Sequence, residues 1–574
     1  MKIGLDKKIQ IFYLILSIIA CISLVFTNIS YDAEYQMAMA YRMIKGDSMI
    51  LEMWEPHQTS AFLCAFFMKI YMMLTGTTTG IVLYIQVIGL LIKLGISFGM
   101  YKLIRKYAGE IPGLISMGIY LLSSPKDLLL PEFSNMQLWF GTLLFLFMMQ
   151  YIQKAKLRYL ILAAIFFCGG VFSYPSFLIV GIAVIIILAQ NSKHVMRDIV
   201  LFACVGLAIG GTFAAYLLLT VGGENIVNCI SAALAVEPSH TVGPLDKITG
   251  HAKNVALIGG MFAGVGVIGL LPEGVACLLD KARHKAKCKP VLKRWLLFSW
   301  FVLLFFFLLN ILSVSNRGGY AFPFMVMIAV GLRNRKILNV EEKKLYDCAF
   351  WISVFSLLAT LILSDHVFLQ GVTYMFVLIC VSVVPIWRWF QTIHKDAKMK
   401  ALFVAGVHLF LLLVVFRCVY LHVPFYGRGQ IYSLASDIAF VKSGPALGIL
   451  GDEEGVARQR DSMAEWELYI NEKDTIWIVG EPVDTLGYLY KDVEVGAPTV
   501  MSTPTYTEDL LYYWELNPEK YPDVIIVASS YGNISDEIIS NRWFMDWLEQ
   551  EYCAEYMIEG NYWNYYFAEE RHDK

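Results

Sequence analysis

Charge is scarce in this chain. Only 16% of its 574 residues are Asp, Glu, Lys or Arg, where a soluble domain carries about a quarter. That shortage excludes an ordinary water-exposed globule. A disulfide framework is missing as well. Most of the 11 cysteines lie within apolar runs, Cys21, Cys64, Cys168 and Cys204 among them. The polar C-terminal region holds a single one, Cys553, which cannot pair within that region. No P-loop, GxGxxG, CxxC or HExxH motif is present, so nothing signals a bound nucleotide or zinc. There is no internal repeat and no low-complexity segment. Residues 9–27 are too long for a typical signal core and lack a small-residue cleavage site, and they read as a retained anchor.

What the chain has instead is apolar length. Hydrophobic residues make up 57% of it. Apolar runs lie near 9–27, 80–104, 111–124, 135–152, 158–173, 176–190, 199–221, 253–279, 295–313, 319–332, 345–364, 370–388 and 400–421. The expectation is a polytopic α-helical membrane protein with about 13 transmembrane helices. Orientation follows from the basic loops. Lys7 and Lys8, then Lys102, Arg105 and Lys106, then Lys154, Lys156 and Arg158 fall on one side, with 281–294, 333–336 and 394–400. An N-terminus in the cytoplasm puts all of them inside. Residues 28–79, 125–134, 222–252, 314–318 and 365–369, and everything after about 422, then lie outside.

Two of these outer segments are unusual. Residues 28–79 form a long first loop. Within it, Tyr35, Met39 and Met43 recur at helical spacing and predict an amphipathic helix over 31–45, flat in the interface. A second interfacial helix is expected over 59–74. The other segment, 425–574, reads as an extracytoplasmic α/β domain behind a transmembrane domain of 1–424. "TIWIVG" (475–480) and "DVIIVASS" (523–530) predict buried strands, with helices between them and over 536–551.

Candidate site residues cluster in the outer loops. Asp32 and Glu34 follow the first span directly. A carboxylate there can act as a base beside a lipid-borne leaving group; equally, two solvated acids suit the positive end of an interfacial helix. In "WEPHQTSAF" (54–62), Trp54 favours the interface. His57 can donate a hydrogen bond to phosphate, or simply cap and pack, and Glu55 beside it is a further candidate substrate contact. Arg317, in a very short outer loop, either clamps a phosphate or snorkels to headgroups. "SSPKDLLLPEFSNMQ" (123–137) supplies Lys126, Asp127, Glu132 and Asn135, and 222–252 supplies Glu237, His240, Asp246, Lys247 and His251. Any of these could line a cavity, and any could be ordinary loop polarity. His408, mid-span, reads as a packed histidine. Asn28-Ile29-Ser30 is a sequon-like triplet of a kind common by chance.

"YDAEYQMAMAYRMIKGD" and "WEPHQTSAF" together resemble the first outer loop of GT-C glycosyltransferases. The similarity is to the branch with protein mannosyltransferases and the bacterial aminoarabinose transferase. That branch has an acidic pair after the first helix, an amphipathic helix ending in Gly-Asp, a Trp/Pro turn and a second interfacial helix. The motif resemblance covers about fifty residues and the topology nearly the whole chain. It implies a polyprenyl-phosphate-sugar-dependent hexosyltransferase that inverts the anomeric carbon at the outer face of the membrane. Asp32 matches the catalytic base, although the pair is Asp-Ala-Glu here and adjacent in the family, which keeps Glu34 in play. His57 stands where relatives have a lysine on the donor phosphate. Arg317 is similar to the residue assigned to lipid phosphate, and Glu132 and Asn135 match a polar position more loosely.

The implied partners are a polyprenyl-phosphate-linked sugar, of undecaprenyl type in a bacterial host, and an acceptor that is protein, lipid or wall polymer. Nucleic acid is not among them. No cofactor is implied; some GT-C relatives need a divalent metal and this branch generally does not. A transporter or flippase of lipid-linked sugars would instead show paired halves and mid-membrane ions. A non-catalytic envelope assembly protein would make no demand on Asp32.

Overall fold

The computed structural model describes residues 3–26, 31–55, 57–122, 129–236, 246–256, 321–363, 371–393, 438–480, 485–500, 507–530, 533–534, 539–552 and 557–568. The first half is a helical array. Helix α1 (Ile3–Val25) leads into α2 (Tyr31–Lys45) and α3 (Ala61–Thr75). There follow α4 (Ile81–Ala108), α5 (Glu110–Leu122), α6 (Phe133–Lys154), α7 (Leu157–Ser173), α8 (Val180–Asn191), α9 (Val195–Thr220) and α10 (Gly223–Val236). Helices Ala321–Asn334, Val340–Leu363 and Phe376–Ile393 complete it.

Apolar runs that fall on described residues coincide with helices. Among the described residues, four helices are long and apolar enough to cross a membrane: Ile81–Ala108, Val195–Thr220, Val340–Leu361 and Val372–Thr392. Others, such as Leu157–Ser173, are apolar but shorter. The expected count of about 13 is therefore not reached here, and the runs 295–313 and 400–421, with most of 253–279, lie outside the described residues. The outward surfaces are greasy. Val200, Leu207, Leu218 and Leu219 on α9, and Ile182 and Ile185 on α8, are exposed. A helix surface of that kind is stable against lipid, and the chain is a membrane protein.

The C-terminal part holds a mixed sheet. Strands β1 (Ile438–Phe440) and β2 (Leu450–Asp452) pair as a separate antiparallel ribbon. The main sheet contains β3 (Thr475–Val479), β4 (Glu494–Val495), β5 (Val524–Ser530), β6 (Asn533–Ile534), β7 (Met557–Glu559) and β8 (Trp563–Phe567). Its order is β4-β3-β5-β8-β7, with β6 on β5. β3 runs parallel to β4 and β5, and β8 is antiparallel to β5 and β7. Every residue of β3 is buried, which explains its unbroken apolar sequence. Trp477 fills one face against Trp514 at 5.8 Å and Phe544 at 5.5 Å.

The loop helices depart from expectation. α2 does begin and end where the periodicity places it, but it does not lie with one face in water. Residues 33–42 are buried around the whole circumference. Ala33, Tyr35 and residues 37–41 share one hydrophobic cluster with β3, β5 and β8 of the C-terminal domain. Trp54 likewise sits fully buried, not at the interface, with its ring edge-on to Tyr513 at 5.3 Å. The reason is the C-terminal domain itself, which covers the loop and replaces both water and headgroups. α3 keeps an apolar exposed side, with Phe62, Phe66, Met73 and Leu74.

Candidate active site

Asp32 sits in the first turn of α2, partly exposed. Glu34, two residues on, is buried at 3% exposure. Four other segments bring polar and aromatic groups toward Asp32. Glu132 caps the N-terminus of α6, accepting from the backbone N–H groups of Ser134 and Asn135 at 3.0 and 3.2 Å. The Asn135 amide donates to the Leu130 carbonyl at 3.1 Å and fixes the approach to that cap. The approach also needs Gly89 on α4, where a Cβ would meet the Leu129 carbonyl oxygen at 1.8 Å. Tyr374, on the short helical turn Val372–Met375, is buried, with Glu132, Tyr174 and Asp32 within electrostatic reach.

His57 closes the group. Its ring stacks on Phe133 at 4.5 Å and on Tyr174 at 5.1 Å. Phe133 follows the Glu132 cap, and Tyr174 terminates α7. The turn that carries His57 is tied down on several sides. Gln58 accepts from the Ile50 N–H at 2.9 Å and donates to the Met53 and Glu55 carbonyls at 3.1 and 3.2 Å. Thr59 donates to the Phe172 carbonyl at 2.6 Å, and Ser60 donates to Gln36 at 3.0 Å. Gln36 lies one helical turn beyond Asp32, so the Asp32 helix and the His57 turn are directly bonded. Ile50 holds φ at 69°, a strained value for a β-branched residue, which the Gln58 bond supports.

Of the residues expected from sequence, the structure brings together Asp32, His57, Glu132 and Asn135. Tyr174, Tyr374 and Gln58 join them unannounced; aromatic residues at span ends read as interface anchors, and a lone glutamine carries no motif. Glu55 lies apart. It is fully buried and accepts from Arg42 Nη1 at 3.0 Å and from the Val500 N–H at 3.1 Å. Burial raises its carboxyl above the ordinary range, against the pull of Arg42. Arg317, with Lys126, Asp127, Glu237, His240 and His408, lies outside the described residues. His251 is at 3.3 Å from the Leu361 carbonyl. Among the described residues no three His, Cys, Asp or Glu side chains gather as a metal site.

The arrangement offers a carboxylate, a second carboxylate held by a helix cap, an oriented imidazole and an aromatic wall, all at the ends of apolar helices. No protein-family model matches the sequence, and no curated protein matches it either. Solved structures do. One is an oligosaccharyltransferase of Archaeoglobus fulgidus tethered with an acceptor peptide containing the NVT sequon: 12% identity, TM-score 0.46, covering 95% of this chain and 70% of that one. Another is AglB of the same organism with an inhibitory peptide and a dolichol-phosphate: 12% identity, TM-score 0.42, with the same coverage. A third is the aminoarabinose transferase ArnT of Cupriavidus metallidurans in the apo state: 11% identity, TM-score 0.40, covering 97% of both chains. At these values the likeness assigns no residue and no substrate.

Proposed function

We propose that this protein is a GT-C-type glycosyltransferase that moves a sugar from a polyprenyl-phosphate donor to an acceptor at the outer face of the membrane. The observation that carries the reading is the His57 ring stacked on Phe133, which follows the Glu132 cap of α6, and on Tyr174, in a turn that Ser60 bonds to Gln36, one helical turn from Asp32. The sequence resemblance of the first outer loop is the second support. In this reading Asp32 takes the proton from the acceptor hydroxyl or amine. The acceptor's lone pair attacks the anomeric carbon. The carbon–oxygen bond to phosphate breaks, and the polyprenyl phosphate leaves with that electron pair. A single displacement inverts the carbon. His57 donates to a phosphate oxygen, and Arg317 supplies a fixed positive charge to the same group. The aromatic wall offers a face for the sugar ring. The N-terminus is cytoplasmic, and the C-terminal domain stands over the site on the outside.

The test is Asp32→Asn in membranes, with the folded protein level checked. Loss of a positioned base costs about 10²–10⁴-fold in rate. Undiminished consumption of the lipid-linked sugar by Asp32→Asn refutes the base assignment, and abolition by Glu34→Gln with Asp32→Asn active transfers the role to Glu34.

A further inference from the structure

The segment that carries Asp32 is held from both sides by the C-terminal domain. Upstream, the Leu450 N–H donates to the Phe26 carbonyl at 2.6 Å, at the end of α1. Downstream, the grip is on Arg42, near the end of α2. Arg42 is 1% exposed, and all three of its guanidinium nitrogens are engaged. Nε donates to Asp47 at 2.7 Å. Nη1 donates to Glu55 at 3.0 Å and to the Pro498 carbonyl at 3.3 Å. Nη2 donates to the Glu52 carbonyl and to the Tyr513 hydroxyl, the latter at 3.4 Å. Pro498 and Tyr513 belong to the C-terminal domain. So do Val500, which donates to Glu55, and Lys520, which reaches Asp47 at 2.9 Å.

The same end of the helix has a second tie, from Tyr41 and Lys45 to Asp492 at 3.1 and 2.7 Å. A planar five-donor fork fixes direction as well as distance, which a lysine does not. Asp47 and Glu55 are therefore counter-charges of a joint, not free acids awaiting a substrate.

We infer that Arg42 is a positioning residue, through which the C-terminal domain sets the pose of α2 and hence of Asp32. Asp32 and Arg42 are ten residues apart, about 15 Å along a helix at ~1.5 Å per residue. A rotation of about 5° at the Arg42 end therefore moves Asp32 by about 1.3 Å. A misplacement of about 1 Å at a reacting centre costs on the order of 10²-fold in rate. The C-terminal domain is then part of the catalytic apparatus rather than an accessory. This consequence for transfer rests on the proposed function; the mechanical part does not.

The experiment uses the full chain in nanodiscs. The variant is Arg42→Met with Glu55→Gln, which removes one charge of each sign and leaves the Asp47–Lys520 pair intact. Arg42→Lys, which keeps the charge and loses the fork, is the second variant. Amide hydrogen exchange is followed over residues 31–38, alongside the melting temperature. Transfer is assayed with polyprenyl-phosphate sugars extracted from the source membranes. The expected result is at least tenfold faster exchange over 31–38 in both variants. kcat falls about 10²-fold with donor KM within about threefold, the split expected when an oriented group is displaced. Unchanged exchange over 31–38 in either folded variant overturns the positioning role whatever the activity. Faster exchange with unchanged kcat overturns its catalytic consequence. Should Asp32→Asn retain full transfer, the proposed function fails, while the exchange result still decides whether Arg42 poses α2.

Discussion

Removing Lys520 is predicted to loosen the joint between loop and domain by an amount the geometry bounds. Its ammonium lies 2.9 Å from Asp47, 3.2 Å from Glu494 and 3.5 Å from Glu52. Lys520 and Asp47 side chains are each 5% exposed, whereas Glu494 is 43% exposed. Breaking one side of a buried ion pair costs about 3–5 kcal/mol. Glu494 adds little, because water screens it. Asp47 keeps Arg42 Nε at 2.7 Å, so it is not left bare. Lys520→Met should therefore fall at or just below the low end of that range, at about 2–3 kcal/mol. Asp47→Asn should cost less, because Lys520 keeps two carboxylates and Arg42 keeps Glu55. With both changes made together, the mutual penalty disappears. A cycle of the four proteins, unfolded in detergent and followed by tryptophan fluorescence, should give a coupling of about 1–3 kcal/mol. Trp54 and Trp477, both buried, report the transition. A coupling below about 0.5 kcal/mol means that the network is effectively solvated, and refutes the view of a dry, charge-locked seam.

Two further outcomes are expected. Trp54→Ala should cost about 3–5 kcal/mol, since a fully buried indole and its edge-on contact with Tyr513 are lost together; a change under about 1 kcal/mol in the same unfolding assay would place Trp54 elsewhere. The Asp492 carboxyl is held below its ordinary value by the hydrogen bond from Lys45, and further by Tyr41. A lowered folded pKa contributes stability above the unfolded value of about 3.9 and loses it as pH falls through the folded one. The advantage of the native protein over Asp492→Asn, small because the side chain is 60% exposed, should thus be present at pH 6 and vanish on acidification in parallel melts. An advantage that persists at pH 2 excludes this ion pair as its source.

Much of the helical array was legible because burial in lipid demands long apolar runs, and α1 and α4 to α9 follow those runs. The strands β3 and β5 were legible because both lie buried in the core of the C-terminal domain and so are unbroken apolar runs. β8 was not: "WNYYF" is aromatic and polar, and shows neither an apolar run nor clean alternation, yet all of it is buried. Asp32 could be singled out from its place at the end of the first span. The remainder of the site could not be assembled, because Glu132, Tyr174 and Tyr374 approach Asp32 from three other parts of the chain. α2 shows the limit most clearly. Its hydrophobic period gave the right boundaries and the wrong surroundings, since periodicity records which residues avoid water and not what excludes it. Arg42 and Lys45, in the same helix, carry no sequence signal of their role. Their partners Pro498, Tyr513 and Asp492 lie some 450 positions further on, and no local pattern announces them.

The charged character of the seam bears on how the site is held. An apolar seam of similar volume would hold the domain to the loop about as firmly, for buried ion pairs seldom exceed hydrophobic replacements in stability. Apolar contacts tolerate sliding, however, and the cluster joining α2 to the sheet contains Met37 and Met39, whose side chains adapt easily. A fork bonded to Asp47, Glu55 and Pro498 tolerates little rotation or translation without leaving a buried charge unpaired. The penalty for that is several kcal/mol, much larger than the cost of a shifted methionine. Gly46, at φ 111°, turns the chain so that Asp47 returns to the guanidinium within the same turn. The adaptable contacts thus supply most of the adhesion, and the few ionic ones define the register. Asp32, at the opposite end of α2, is placed by that register.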